Sequence, residues 1–119
     1  MIINNLMGGI GNQLFQISAG FAHARKIQTD YAINYKIGLG NGQGYHHRRY
    51  RDTLYKNIPE TNQNVFIPYQ DPKFSYTPIS KLNNLCLIGY FQSKKYFLGY
   101  EEEVKSLFEF PNLLSKKVL

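Results

Sequence analysis

The sequence predicts an α/β fold built on a parallel sheet. Three observations predict it: a short strand pattern at the N-terminus, a three-glycine bend that leads into a helical pattern, and an alternating segment after that helix. Strand, turn, helix and strand in this order form a βαβ unit, whose two strands lie parallel in one sheet. The length of 119 residues is that of one small domain, and a hydrophobic content of 43% is enough for a core.

Each element of this unit has its own signal in the first 35 residues. Residues 2–6 (IINNL) read as a short strand, and glycines then interrupt any regular structure. From Asn12, a residue type common at helix N-caps, apolar residues recur at helical spacing on two stripes as far as Lys26. The two stripes predict a helix covered on more than one side. Residues 31–35 (YAINY) alternate like a second strand.

The rest of the chain is less regular until residue 84. Residues 38–83 are rich in glycine and proline and are predicted as an irregular region, with a short helix at 53–57 and brief strands near 65–67. The run NLCLIGYF is typical of a strand buried on both faces. A helix is predicted after it, capped by Ser93 and ended by Pro111. We therefore expect one domain over residues 1–110, with 111–119 as the start of a further helix or linker.

Charge and cysteine content narrow the classes of protein. Fourteen Lys and Arg against eight Asp and Glu give a net charge of +6, which favours anionic partners such as nucleic acid, an anionic membrane or a phosphate-bearing molecule. The single cysteine, Cys86, excludes a disulfide within the chain and fits a buried thiol. No signal peptide or membrane-spanning run is visible in the sequence, so a cytoplasmic location is expected.

The bend LMGGIGNQLFQ admits two interpretations. Backbone N–H groups at the start of a helix suit an anion such as a diphosphate, and the amides of Asn12 and Gln13 are polar groups that a packing turn does not need. Yet Leu14 stands where the dinucleotide fingerprint requires its last glycine, and no Walker lysine follows. A ligand-binding loop and a structural turn both remain open from these residues alone.

A basic loop, HHRRYRD at 46–52, is the second candidate. Its histidine and arginines could hold phosphate or RNA, whereas its position between glycine-rich residues and Pro59 is typical of a solvated loop. The candidate side chains are His46, Arg48, Arg49 and Arg51. No metal is expected, because Asp30, Asp52 and Asp71 are far apart in sequence and no His or Cys cluster has ligand spacing.

Three stretches together resemble a known enzyme family. The segment GGIGNQLFQISAGFAHA resembles the N-terminal signature of glycosyltransferase family 11, the α-1,2-fucosyltransferase-like enzymes. FSYTPI at 74–79 and LIGYFQSKKYF at 87–97 are similar to two later segments of that family, in the same order. The resemblance covers nearly the whole chain apart from residues 38–60.

The resemblance implies the N-terminal, Rossmann-like half of a GT-B-like glycosyltransferase. Such enzymes transfer fucose from GDP-fucose to a sugar hydroxyl with inversion, without a metal or other cofactor, so a nucleotide-sugar donor and a glycan acceptor are the implied partners. By this similarity one group of residues faces the cleft near the donor diphosphate or the transferred sugar, as polar residues at strand ends do in open α/β sheets. The group is Gly8, Gly9, Gly11, Asn12, Gln13, Gln92 and Ser93.

One family motif, His-x-Arg-Arg-x-Asp, is absent from these 119 residues. HHRRYRD is similar to it, but Asp52 comes one place too late, no apolar strand precedes it, and it lies upstream of LIGYFQSKKYF. We therefore expect half of the cleft to be missing, the chain to be inactive alone, and self-association or a missing C-terminal half to cover its exposed edges. The alternatives are a non-catalytic carbohydrate- or nucleotide-binding module and, less favoured, a small basic nucleic-acid-binding protein.

Overall fold

The computed structural model of the protein describes residues 1–38, 50–72 and 76–108. Over these ranges three strands, two α-helices and one 3₁₀ helix form a small α/β domain, which confirms the predicted fold class. In chain order the elements are β1 (Ile2–Asn5), α1 (Ile10–Lys26), β2 (Ile67–Gln70), β3 (Leu85–Ile88), the 3₁₀ helix (Lys94–Phe97) and α2 (Glu101–Leu107). The expected segment 111–119 and its boundary at Pro111 lie outside the described residues.

The described strands form one parallel sheet in the order β1–β3–β2. β3 is central, and its first residue, Leu85, is in register with Ile2 on one side and Ile67 on the other. Leu85 and Leu87 are buried, whereas Cys86 and Ile88, which alternate with them and point to the other face, are half-buried. The expectation that this strand is fully buried on both faces was therefore wrong for one face.

The predicted strand at 31–35 is reduced to two isolated bridges. Ile2 donates its N–H to the Asp30 carbonyl at 2.8 Å and pairs in parallel with Tyr31. Ala32 still donates to the Ile2 carbonyl at 3.2 Å, but at Ile33 the chain leaves β1, because Ile33 hydrogen-bonds with Pro59 and Thr61 instead. The βαβ connection is present, but the segment after α1 pairs first with β1 and then with residues 59–61.

β2 is an edge strand inside the region predicted as irregular. Ile67 donates to the Asn84 carbonyl at 2.7 Å and Asp71 to the Ile88 carbonyl at 2.8 Å, so alternate N–H groups face β3. Pro68 occupies a position between them, where the ladder needs no donor, as prolines in edge strands do. The short helix expected at 53–57 is a series of turns, with Thr53 bonded to Tyr50 and Lys56 to Thr53.

α1 packs on the sheet along the face that contains Gly20. A Cβ at Gly20 would lie 2.2 Å from Asn4 Oδ1 and 2.6 Å from Tyr31 Cε1, so the helix approaches β1 as closely as its backbone allows. Ten of the seventeen residues of α1 are buried, as the two apolar stripes predicted. Gly9, and not Asn12, is the N-cap, because the helix begins two residues earlier than the apolar pattern does.

The helix predicted after residue 93 is divided into two pieces. Ser93 is the N-cap as predicted, since its Oγ accepts a hydrogen bond from the N–H of Lys95 at 3.2 Å. The element that it caps is the 3₁₀ helix, which ends before Gly99. Gly99 has a φ of +89°, a left-handed conformation that interrupts a helix, and α2 begins two residues later.

Candidate functional site

The carboxyl ends of the three strands border a cavity of about 470 Å³. Met7 follows β1, Asp71 follows β2, and the segment 89–93 follows β3; all three contribute to its lining. In open parallel sheets, ligands bind at this edge because loops from neighbouring strands converge there. The cavity therefore lies where the fold favours a binding site.

The glycine bend forms one border of this edge. Gly8 has a φ of +78°, and a Cβ there would lie 3.0 Å from Asn12 Nδ2 and 3.2 Å from a ring carbon of Tyr90. Glycine is required on both counts, because a side chain would be strained and would also crowd Tyr90. The close approach brings the bend against the segment that follows β3.

Two buried glutamines of α1 hold the bend in place. The amide of Gln16 accepts from the N–H of Met7 at 3.1 Å and donates to its carbonyl at 2.9 Å. Gln13 donates to the Gly8 carbonyl at 3.0 Å and accepts from the hydroxyl of Tyr55 at 2.8 Å. Gln13 is thus placed inside the domain as an anchor of the bend.

Asn12 and Gln92 join the two predicted segments. The amide of Gln92 donates a hydrogen bond to Asn12 Oδ1, although the residues are 80 positions apart in the chain. Gln92 and Ser93 line the cavity, whereas Gly9 caps α1 and Gly11 lies exposed, with nothing within 4 Å of a Cβ built there. Of the seven predicted cleft residues, Gln92 and Ser93 thus line the cavity, Gly8 and Asn12 lie against lining residues, and Gln13 points into the interior.

The turn after β3 is bound to Asp71. The Phe91 N–H donates to Asp71 Oδ2 at 3.0 Å, and Phe91 itself has a φ of +48°. Gly89 has a φ of +125°, and a Cβ there would lie 2.4 Å from Asp71 Cβ. The sequence predicted no role for Asp71. The signal that could have identified it is its position directly after β2, opposite a glycine directly after β3.

Aromatic side chains line the cavity and pack behind it: Tyr76, Tyr90 and Tyr96 belong to the lining, whereas Phe91 and Tyr69 do not. The ring centroids of Tyr76 and Tyr96 are 4.8 Å apart, those of Phe91 and Tyr96 5.3 Å, and Tyr69 stacks on Phe91 at 6.4 Å. Burial raises the pKa of the Tyr96 hydroxyl, so this phenol stays protonated at neutral pH. Among the residues that the structure describes, the lining also contains Gln70, Asp71, Gln92 and Ser93 and no Lys or Arg, so these side chains offer hydrogen-bonding groups and aromatic faces without positive charge.

The basic loop contributes one described side chain to this picture. Arg51 forms an ion pair with Glu60 at 2.7 Å, and its guanidinium lies 5.3 Å from the ring centroid of Tyr35. This arginine is thus occupied by a carboxylate and an aromatic ring. The other three candidates, His46, Arg48 and Arg49, lie outside the described residues.

Comparison with protein-family models, curated proteins and solved structures gives no match for this chain. Among residues 1–38, 50–72 and 76–108 no group of three or more His, Cys, Asp or Glu side chains could hold a metal ion. Within the same ranges no helix has the length and apolar character needed to span a bilayer. The geometry at the sheet edge is therefore the basis for assigning a function.

Proposed function

We propose that this chain is a domain of a fucosyltransferase-like glycosyltransferase, the N-terminal half of a GT-B-like enzyme, whose ligands bind at the carboxyl edge of the sheet. The observation that supports it is the Asn12–Gln92 hydrogen bond beside the 470 Å³ cavity. The resemblance rests on the segments that contain these two residues, and in the fold they meet at the edge where α/β sheets bind ligands.

The two parts of a nucleotide sugar need different surroundings, and the edge offers both. The first turn of α1 carries no acidic side chain and no side-chain cap, so its backbone N–H groups suit a diphosphate. Sugar hydroxyls can hydrogen-bond with the amides of Gln70 and Gln92 and with the carboxylate of Asp71. The apolar face of a sugar ring packs well on tyrosine rings. We assign the diphosphate to the helix and a sugar ring to the cavity.

Catalysis by these 119 residues alone is not part of the proposal. The sequence contains no His-x-Arg-Arg-x-Asp motif, and the arginine that the resemblance assigns to the phosphates therefore has no counterpart in it. We expect GDP-fucose to bind weakly and without turnover. Any release of fucose or GDP by the purified chain would contradict this.

A titration followed by amide NMR tests the proposed site. GDP-fucose should shift the amides of Gly9, Gly11 and Gln92 in a saturable way. Asn12→Ala removes an amide that the donor can hydrogen-bond, as well as the contact that positions Gln92. It should weaken binding about fivefold, the value of one typical hydrogen bond to the ligand of about 1 kcal/mol. Asn64→Ala is the matched control, because Asn64 is an exposed amide before β2, at the opposite end of the strand from the cavity. Equal effects of the two substitutions, or no saturable shift, would overturn the proposal.

A non-catalytic carbohydrate-binding module is the second candidate. The described part of the cavity lining has tyrosines and amides and no Lys or Arg, which favours a neutral sugar over a phosphate. Methyl fucoside and GDP separate the two functions. A module binds the fucoside and ignores GDP, whereas the transferase domain binds both, with GDP shifting the amides at the start of α1.

A further inference from the structure

A second cavity of about 290 Å³ adjoins the first. Tyr76 and Tyr96 line both cavities, so their paired rings form the wall between them. The remaining lining of the second cavity comes from the end of α1 and from the segment 78–81. The two cavities therefore adjoin at the tyrosine pair.

The charge of the second cavity is opposite in character to that of the first. Counting described residues only, its lining includes His23, Lys26 and Lys81 and no carboxylate, whereas the first cavity includes Asp71 and no Lys or Arg. Lys26 donates one hydrogen bond, to the Tyr96 carbonyl at 3.3 Å, so two of its three ammonium protons are left for a ligand. The two cavities thus differ in the ligand group that each suits.

Three other basic side chains in the described ranges have acidic partners. Arg25 pairs with Glu103 at 3.2 Å, Arg51 with Glu60 at 2.7 Å and Lys105 with Glu102 at 3.7 Å. Within those ranges neither Lys26 nor Lys81 forms an ion pair. The end of a helix favours a cation, which accounts for Lys26 but not for Lys81, which lies in a separate segment.

A buried contact fixes the position of Lys81. His23, which is 5% exposed, hydrogen-bonds through Nε2 to the Ser80 carbonyl at 2.8 Å. This bond joins α1 to the segment 78–81 and brings the residue after Ser80 to the same cavity as Lys26. Burial is the main cause of the lowered pKa of His23, so the imidazole is neutral at pH 7 and the positive charge comes from the two lysines.

We propose that the second cavity is a carboxylate subsite, and that the domain binds an acidic glycan with its uronic acid between Lys26 and Lys81. The adjoining sugar occupies the first cavity. Only this assignment of a sugar to the first cavity rests on the proposed function. Tyr76 and Tyr96, which line both cavities, contact both sugar rings. The ligand class is thus a glycan with a uronic acid next to a neutral sugar.

The test compares an aldobiouronic acid, glucuronic acid linked to galactose, with its methyl ester. The two probes have almost the same size and differ in the charge that the subsite would recognise. The acid should bind about tenfold tighter than the ester, as expected for a charge-assisted hydrogen bond. It should shift the amides of Ile27 and Lys81 as well as those of Gly89 and Gln92, whereas the ester should shift chiefly the latter pair.

Charge-removing variants distinguish the subsite from the general positive charge of the protein. Lys81→Gln should reduce the preference for the acid to about threefold or less, because it weakens binding of the acid more than binding of the ester. Lys26→Gln should act in the same direction, although it also removes a contact with Tyr96. Lys56→Gln, an exposed lysine in the turns that follow Tyr50, is the control and should change nothing.

Two results would overturn the inference: equal binding of acid and ester, or an equal loss of preference in Lys56→Gln and Lys81→Gln. Failure of the proposed function gives a different result. In that case neither probe shifts Gly89 or Gln92, while a Lys81-dependent shift of Ile27 by the acid would still support the carboxylate subsite.

Discussion

Asp71 accepts a hydrogen bond at 3.0 Å from the backbone N–H of Phe91, a residue held at a φ of +48°. A positive φ is costly for a residue with a bulky side chain, so such a turn persists only where its surroundings stabilise it. Here the carboxylate binds the N–H, and the Phe91 ring is fully buried between Tyr69 and Tyr96. The turn carries Gln92 and Ser93 into the cavity, so its conformation determines the site.

Removal of the Asp71 carboxylate should destabilise the domain. Asp71→Ala is expected to lower the free energy of unfolding by about 1.5–3 kcal/mol, the range for a hydrogen bond to a charged group. Asp71→Asn retains an acceptor oxygen at the same position and should cost less than half as much. Urea unfolding followed by circular dichroism measures the free energy of unfolding of both variants. An equal decrease in the two would show that the acceptor oxygen does not account for the stabilisation.

Two glycines of α1 should respond in opposite ways to alanine. Gly20→Ala would place a Cβ 2.2 Å from Asn4 Oδ1, so we expect a loss of about 1–3 kcal/mol through overpacking. Gly11→Ala meets nothing within 4 Å and should stabilise the helix by about 0.5 kcal/mol. Thermal unfolding of the two variants checks the sign of each effect. A stable Gly20→Ala variant would contradict the close packing of α1 on β1.

The buried hydroxyl of Tyr55 should contribute measurably to stability. Tyr55→Phe removes the 2.8 Å hydrogen bond to Gln13 and is expected to cost about 1 kcal/mol. Tyr90→Phe is the control, because Tyr90 is 41% exposed whereas Tyr55 is 1% exposed. We also expect faster amide exchange in residues 7–9 of the Tyr55→Phe variant, since Gln13 anchors that bend. Identical costs for the two substitutions would argue against the anchor.

His23 should make the domain less stable in acid. Its pKa is lowered in the folded state, chiefly by burial, so the unfolded chain binds the proton more readily. The stabilisation is therefore present above the unfolded pKa of about 6.5 and is lost as the pH falls below it. The slope of unfolding free energy between pH 7 and pH 5 should be shallower in His23→Gln. An unchanged slope would assign the acid sensitivity to other groups.

The local sequence determined much of the order of elements. A period of 3.6 residues predicted α1, and the apolar run at 84–91 predicted β3, because both patterns reflect burial that every helix or inner strand must satisfy. Boundaries were less accurate: Gly9 caps α1 in place of Asn12, and Gly99 divides the expected C-terminal helix. The role of Gly99 depends on a left-handed φ, which a helical apolar period does not reveal.

The α/β class follows from local patterns of burial along the chain, and one resemblance supplied the two segments proposed to form a site. Which of their side chains meet depends on the assembled fold. Gln13 turns inward to Tyr55, while Asn12 reaches Gln92 across 80 residues of chain. Asp71 and the Lys26–Lys81 pair became visible only in the fold, because strand order and helix docking bring together residues whose separation along the chain carries no sign of contact. An apolar pattern along the sequence indicates which face of a helix or strand is buried. Which residues pack against that face is determined only when the sheet assembles.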